Sequence, residues 1–224
     1  MSSSLAPVLA FLTELSLNNN RTWFEANRHR YEEAKGVLEA FFFDQFPALG
    51  LDRASHKPSF YFHRIYRDVR FSKGKPPYKT SLSAVFDAAG KKAPGLGAYF
   101  HIEPGNESVV GDGLWMPEPA ALKKFRLDME DGPRAFLNIV GSPEFRAHLH
   151  LLDGEKLKKV PKGFPGDHPA AELFKMKQVV AWRAFTDEEV LAPAFADQVV
   201  GAVKALAPFL RYLEESAGLV PPRD

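Results

Sequence analysis

The spacing of the apolar residues changes near residue 59, and this change constrains the fold. Up to about residue 46 the apolar residues recur every three or four positions, which is typical of helices that bury one face. From Ser59 the apolar and polar residues alternate, which is typical of half-buried strands. We therefore predict a helical N-terminal segment, about residues 4–48, and a sheet region, about residues 59–115.

The N-terminal segment is predicted to contain two helices. The first ends at the three asparagines of residues 18–20, because asparagine tolerates the conformation of a helix end and also caps a following helix. The second is predicted at about residues 23–46, with Thr22 and Glu25 at the spacing of a capping box. A short connection between two helices predicts an antiparallel pair.

Short strands are predicted at residues 59–65, 81–87, 98–103 and 108–114, the last two forming a hairpin. Strands at this spacing favour an antiparallel or meander sheet over βαβ units. The C-terminal half is predicted to be mainly helical, with a further strand at residues 178–185 and a capping box at Thr186 and Glu189. No linker divides the chain, so we predict one α+β domain over residues 1–224, with helices flanking the sheet.

The composition excludes several classes of protein. The net charge of +1 gives no global field that would attract the whole molecule to nucleic acid or lipid. The absence of cysteine excludes disulfides, thiolate zinc sites and cysteine nucleophiles, and it fits a reducing compartment. The apolar N-terminus has no Lys or Arg before Arg21 and contains Glu14, which is unlike a signal peptide. We expect a cytoplasmic protein with no membrane partner.

Positive charge is concentrated in one place, the basic segment, residues 61–80. It carries six bases and one acid, and removing them from the totals of 29 Lys+Arg and 28 Asp+Glu leaves 23 bases and 27 acids. One carboxylate cannot neutralise six bases, and burying unpaired charge is costly. Guanidinium groups match the oxygens of phosphate and carboxylate two at a time. The segment therefore predicts a site for a small anionic ligand that carries phosphate or carboxylate.

Seven side chains of this segment have predicted roles. Arg64, Arg67 and Arg70 are predicted to clamp the anion, with Asp68 orienting one of them, while Lys75, Tyr78 and Lys79 complete the site. Pro76 and Pro77 end the preceding strand and remove the backbone N–H groups that a phosphate-binding loop would need. No Gly-Lys-Ser/Thr triplet is present either, so a nucleotide-binding loop is excluded.

The basic segment resembles the signature of a family of bacterial conserved hypothetical proteins, the domain of unknown function family numbered 2461. The resemblance extends to Asn18, Asn19, Trp23, Phe24 and Tyr31, to Gly113, Trp115 and Pro117, and to residues 161–164 with His168 and Pro169. It covers nearly the whole chain. One departure is Gly74, where the family usually has an acidic or amide residue. The resemblance implies a shared fold and a shared basic site, and it brings no established activity.

Two other interpretations of the basic segment remain open. One is a structural ion network, in which the bases hold loop carbonyls and Asp68. The other is a module without enzymatic activity that binds nucleic acid or a protein partner, because aromatic residues alternate with the bases. The acidic remainder of the chain would repel a long polyanion, so nucleic acid is the less favoured partner.

The rest of the site is predicted from four residues outside the basic segment. His101, Glu103, Trp115 and Lys162 are candidates for its wall, although a strand histidine, a tryptophan and a loop lysine usually have structural or solvated roles. His63 and His101 are candidate proton acceptors. His101, Glu103 and Asp112 lack any recognised metal-ligand spacing, so no metal is predicted. The sequence assigns no reaction, cofactor or oligomeric state, and leaves open whether the protein is an enzyme.

Overall fold

The structure, a computed structural model, describes residues 4–52, 57–68, 74–92 and 95–219. Its helices are α1 (Ala6–Leu17), α2 (Arg21–Ala26), α3 (Arg28–Asp44), α4 (Pro119–Asp131), α5 (Arg134–Gly141), α6 (Pro143–His148), α7 (Ala171–Phe174), α8 (Asp187–Leu191) and α9 (Phe195–Ala217). Its strands are β1 (Leu82–Phe86), β2 (Ala98–Ile102), β3 (Ser108–Leu114), β4 (His150–Leu151) and β5 (Val179–Phe185). Short 3₁₀ turns lie at Pro47–Leu49, Pro58–Phe60 and Gly90–Lys92.

The five strands form one open antiparallel sheet in the order β1-β2-β3-β5-β4. β4 is antiparallel to β5, with His150 opposite Trp182 and Leu151 opposite Ala181. The predicted α+β class is confirmed, as are the β2–β3 hairpin, the strand at β5 and the capping box of α8, in which Thr186 and Glu189 exchange hydrogen bonds.

The chain groups into two compact units, each made of several stretches. The first contains Met1–Lys92, Tyr99–Val110 and Ala184–Val200, and the second contains Ala93–Ala98, Gly111–Arg183 and Gly201–Asp224. The basic segment belongs to the first unit, together with His101 and Glu103, whereas Trp115 and Lys162 belong to the second. The prediction of a single domain stays a prediction.

Aromatic side chains form the core of the first unit. Phe42, near the C-terminal end of α3, is fully buried and stacks on Phe86 of β1, with ring centroids 4.2 Å apart. Packed rings of this size supply most of the apolar area that a small core can bury. α1 packs against α3, and Glu14 joins the two helices through a 2.6 Å ion pair with Arg30.

The second unit has its own core around α4, α5 and α9. The buried ring of Phe136 in α5 contacts Phe125 of α4 and Phe209 of α9, with centroids 5.5 and 6.1 Å apart. Arg126 of α4 donates hydrogen bonds to the carbonyl oxygens of Phe174 and Met176, at 2.7 and 2.9 Å. These bonds fasten α7 and the residues after it to α4.

Two sequence predictions near the basic segment are wrong. The strand at residues 59–65 is absent: Pro58–Phe60 form a 3₁₀ turn, and isolated bridges replace a regular ladder. Proline at 58, 76 and 77 explains this, because each proline lacks the N–H that a ladder requires. The single helix at about residues 23–46 is two helices, α2 and α3, separated by Asn27.

The side chain of Asn27 donates to the Trp23 carbonyl at 2.9 Å, which gives the backbone a local alternative to helical hydrogen bonding. The cap of α2 is Asn20, whose side chain accepts from the Trp23 N–H, and not the predicted Thr22. Within the described part of the chain, no helix is both long enough and apolar enough to cross a membrane.

Candidate functional site

Residues 61–68 run antiparallel to residues 77–84, the last of which belong to β1. These two stretches carry Arg64, Arg67 and Lys79 of the basic segment. Isolated bridges join Phe62 to Ala84 and Tyr66 to Tyr78. Three backbone hydrogen bonds of 2.8 to 2.9 Å connect the same stretches: His63 N–H to Ser83 O, Arg67 N–H to Pro77 O, and Lys79 N–H to Ile65 O. This pairing brings Lys79 beside the arginines, which the sequence order alone does not show.

Tyr78 is the anchor of this arrangement. Its ring is 3% exposed and stacks on Phe24 of α2, with centroids 3.9 Å apart and planes 13° from parallel. The side chain of Asn19 accepts from the Tyr78 N–H at 3.1 Å and donates to the Tyr78 carbonyl at 3.0 Å. Burial raises the pKa of Tyr78, so the phenol stays neutral. Tyr78 is therefore an interior anchor for the backbone, and its predicted part in binding an anion stays a prediction.

Arg67 is held by the same carbonyl group. Its Nε donates to the Tyr78 carbonyl oxygen at 2.8 Å, so this oxygen accepts from both Asn19 and Arg67. A guanidinium has five N–H donors, and this bond uses one of them. Arg67 is otherwise exposed, as is Arg64.

Three described cations of the segment, Arg64, Arg67 and Lys79, form a cluster. Burial lowers the pKa of Lys79, and the positive charges of Arg64, Arg67 and Lys91 lower it further. Among salt bridges between residues that the structure describes, none involves Arg64, Arg67 or Lys79. The basic cluster, as we name Arg64, Arg67, Lys79 and Lys91, is therefore a concentration of positive charge next to solvent.

Lys91 was not predicted as part of the site. Its Nζ donates to the carbonyl oxygens of Ser59 and Phe62, both at 2.5 Å. The preceding residue, Gly90, has φ +68° and lies so close to Phe60 that a Cβ would be 2.6 Å from its ring. Sequence offered no signal for this contact beyond a glycine followed by lysine, because it depends on two turns that are about thirty residues apart.

His63 lies at the edge of the basic cluster. Burial lowers its pKa, and the charges of Lys79 and Lys91 lower it further, so the imidazole is favoured in its neutral form. The ring of His63 lies 6.2 Å from that of Tyr99 on β2. A neutral imidazole has a lone pair that can accept a proton, and the predicted role of His63 as a proton acceptor stays a prediction.

The exposed face of β2 continues from Tyr99 into a hydrogen-bonded row. His101 contacts the Tyr99 hydroxyl through Nδ1 at 3.2 Å and the Glu107 carbonyl through Nε2 at 2.6 Å. A carbonyl only accepts, so Nε2 carries the proton and Nδ1 accepts from the tyrosine. The carboxylate of Glu103 lies 4.0 Å from Nε2.

Thr80 connects this row to the basic segment. Its hydroxyl donates to Glu103 at 2.5 Å, and Thr80 directly follows Lys79. The first unit therefore brings together Arg64, Arg67 and Lys79 from the segment with Glu103 and, through it, His101 on β2. The carboxylate of Glu103 is thus linked to this group of cations through the hydroxyl of Thr80, and the imidazole of His101 lies next to that carboxylate.

The other predicted residues occupy different positions. Asp68 and Lys75 are exposed, and Arg70 lies outside the residues that the structure describes. Trp115 is 60% exposed in the second unit, with its N–H donating to the Gly113 carbonyl at 2.8 Å. Lys162 is also exposed there, in a turn before Gly163. Their predicted part in the site stays a prediction.

The described residues offer no place that would hold a metal ion. No group of three or more His, Asp or Glu side chains in the described ranges has a suitable arrangement. The side chains in this part of the molecule carry guanidinium, amine, imidazole, hydroxyl and carboxylate groups.

Fold and site together define a class: an α+β protein with an open antiparallel sheet and a proline-interrupted segment whose cations Arg64, Arg67 and Lys79 form no salt bridge with residues that the structure describes. The family described as "Conserved hypothetical protein (DUF2461)" matches residues 7–212 of the chain. The chain belongs to this family, which confirms the resemblance seen in the sequence. No curated protein and no solved structure matches the chain.

Proposed function

We propose that the basic cluster binds a small anionic ligand through a phosphate or carboxylate group. Arg64 and Arg67 clamp the anion and Lys79 completes the contact. The observation that carries the proposal is the meeting of these three cations without a salt bridge among the described residues. The cluster retains a deficit of negative charge that a bound anion would offset.

The chemistry of the groups supports an oxyanion as the ligand. A guanidinium presents paired N–H donors that fit two oxygens of a phosphate or carboxylate, and such charged hydrogen bonds are roughly twice as strong as neutral ones. Arg64 and Arg67 are exposed, so solvent-borne ligands can reach them. The bond from Arg67 to Tyr78 limits the freedom of that side chain, which reduces the entropy lost on binding.

The same bond also fits a structural role for Arg67, and a test must separate the two. A change at Arg64 separates anion binding from a structural role, because no hydrogen bond or salt bridge to Arg64 is found in the described part of the chain. Nucleic acid is less favoured as a ligand: Tyr61, Phe62 and Tyr78 are buried and cannot stack on bases.

The first test is thermal unfolding with inorganic phosphate or sulfate, at an ionic strength held constant with sodium chloride. Phosphate at about ten times its Kd should stabilise the protein by about 1.4 kcal/mol and raise Tm by about 4 °C. Arg64→Gln should remove most of this shift while leaving the Tm without phosphate unchanged. Lys123→Gln, a change to an exposed lysine on α4, is the control and should keep the full shift.

Arg67→Ala completes the comparison. If it lowers Tm without phosphate, and no oxyanion shifts the Tm of the wild type, the structural network is correct and the proposal is wrong. Tight binding of an oligonucleotide that weakens steeply with salt would favour the nucleic-acid alternative.

We further propose that the protein acts in the cytoplasm of a bacterium. The absence of cysteine from 224 residues supports a reducing compartment, and the resemblance noted in the sequence is to bacterial proteins. Cell fractionation of the source organism tests this, and recovery in a secreted or membrane fraction would contradict it.

A further inference from the structure

Lys79 and Lys91 both belong to the basic cluster, but their amines differ in the hydrogen bonds that they donate. The Nζ of Lys91 donates to two carbonyl oxygens, and burial lowers the pKa of this amine as well. The Nζ of Lys79 has no hydrogen bond and no salt bridge to the residues that the structure describes, although the side chain is half-buried. Among the described residues, no hydrogen bond or ion pair therefore offsets the cost of partly burying this amine.

The charges around Lys79 act in the same direction as its burial. Arg64, Arg67 and Lys91 face it, and all three disfavour its protonated form. His63, whose own pKa is lowered by burial and by Lys79, adds no negative charge. The carboxylate of Glu103 bonds to the hydroxyl of Thr80, and the exposed carboxylate of Asp68 directly follows Arg67 in the chain. A desolvated lysine next to other cations has a larger fraction of neutral, nucleophilic amine than an ordinary lysine.

We propose that Lys79 is a nucleophile that forms an imine with the aldehyde or ketone group of a ligand whose anionic group is bound by Arg64 and Arg67. This inference rests on the proposed function, because the arginines must first hold the anion. It adds a covalent step and a substrate class, that of small anionic carbonyl compounds.

The step balances without any oxidant or reductant. The lone pair of the neutral Nζ attacks the carbonyl carbon and a C–N bond forms, while the carbonyl π electrons move to oxygen, which takes up a proton. The nitrogen loses a proton to solvent, giving a carbinolamine. The C–O bond then breaks with a second protonation at oxygen, water leaves, and the C=N bond forms. The iminium charge lies beside the bound anion, which stabilises it.

Two aldehydes that differ by one phosphate group give a direct test. The wild-type protein is incubated at neutral pH with pyridoxal 5′-phosphate or with pyridoxal, reduced with sodium borohydride, digested, and the modified lysines are quantified by mass spectrometry. We expect pyridoxal 5′-phosphate to modify Lys79 about tenfold more than exposed Lys75 or carbonyl-bound Lys91, as a gain of one or two charged hydrogen bonds implies. Pyridoxal should show no such preference.

Inorganic phosphate should protect Lys79 in proportion to its occupancy of the site. Arg64→Gln should reduce the modification of Lys79 about tenfold, whereas Lys123→Gln should leave it unchanged. Because Arg64 makes no described bond, this variant is expected to fold, and the comparison among lysines of the wild type does not depend on any variant.

The outcomes distinguish this inference from the proposed function. If phosphate binds through Arg64 but Lys79 is modified no more than Lys75, the anion site stands and the nucleophile is wrong. If both aldehydes modify Lys79 equally and phosphate does not protect it, the link to an anion site is wrong and the inference fails with it. Preferential modification of Lys91 would also contradict the inference.

Discussion

Asn19 joins the N-terminal helices to the basic segment through two hydrogen bonds to the backbone of one residue, Tyr78. An asparagine side chain has a donor and an acceptor side by side, so it pairs with a backbone N–H and C=O as a neighbouring strand would. Since the Tyr78 carbonyl also accepts from Arg67, this one side chain influences both the fold and the position of an arginine in the basic cluster.

Asn19→Ala should therefore destabilise the protein. Both bonds are partly buried, and leaving the N–H of Tyr78 without its partner should cost about 1–3 kcal/mol in urea unfolding. Asn18→Ala is the matched control, because the exposed side chain of Asn18 bonds only to the nearby Glu14 carbonyl. Equal effects of the two changes would show that the contact to Tyr78 is not a main source of stability.

At the scale of elements, two 3₁₀ turns meet where no regular strand continues. The turn Gly90–Lys92 packs against Pro58–Phe60 and brings the Lys91 amine to the carbonyls of Ser59 and Phe62. Gly90 permits this approach because its φ is +68° and its Cα lies against Phe60. The turn thereby sets one side of the basic cluster.

Gly90→Ala should destabilise the fold by roughly 2–5 kcal/mol, since a Cβ would lie 2.6 Å from the Phe60 ring in a conformation that alanine disfavours. Gly36→Ala on α3 is the opposite control: nothing lies within 4 Å of its Cβ position. It should raise stability by about 0.5–1 kcal/mol in urea unfolding. A neutral effect of Gly90→Ala would contradict the described contact.

Elements that depend on neighbouring residues could be predicted from the sequence, and those that depend on distant contacts could not. The β2–β3 hairpin and the capping box of α8 are local, so the pattern of a few neighbouring residues determined them correctly. The predicted strand at residues 59–65 failed because prolines remove donors from its partner stretch. For the site, the count of charged residues predicted Arg64, Arg67 and Lys79 as site residues. Lys91 could not be predicted, because its position depends on a long-range contact between turns that no local pattern contains.

At the scale of the whole molecule, pH should act on stability through a buried carboxyl on β3. Burial raises the pKa of Asp112 to about 6, although hydrogen bonds from the Gly113 and Gly97 N–H groups partly oppose this. The folded protein thus binds this proton more tightly than the unfolded chain does. Its contribution to stability is fully present below about pH 4 and is lost as pH rises to about 6.

Asp112→Asn should therefore be more stable than the wild type at pH 7, by about 2 kcal/mol in urea unfolding, and this gain should vanish at pH 4. Asparagine keeps an oxygen that accepts from the Gly113 N–H, at 2.7 Å in the wild type. Asp167→Asn, at an exposed loop position, should change little at either pH. Loss of stability at pH 7 would show that Asp112 is stabilising as a carboxylate.

The central claim, that Arg64 and Arg67 bind an oxyanion together, is tested most directly by NMR. The Nε–Hε resonances of the arginines are followed as inorganic phosphate is added at constant ionic strength, with assignment from Arg64→Gln and Arg67→Lys. We predict that the signals of Arg64 and Arg67 shift along one saturating curve, while those of Arg28 and Arg30, each paired with a glutamate, stay in place. Small linear shifts shared by all arginines, with no saturation, would contradict the claim.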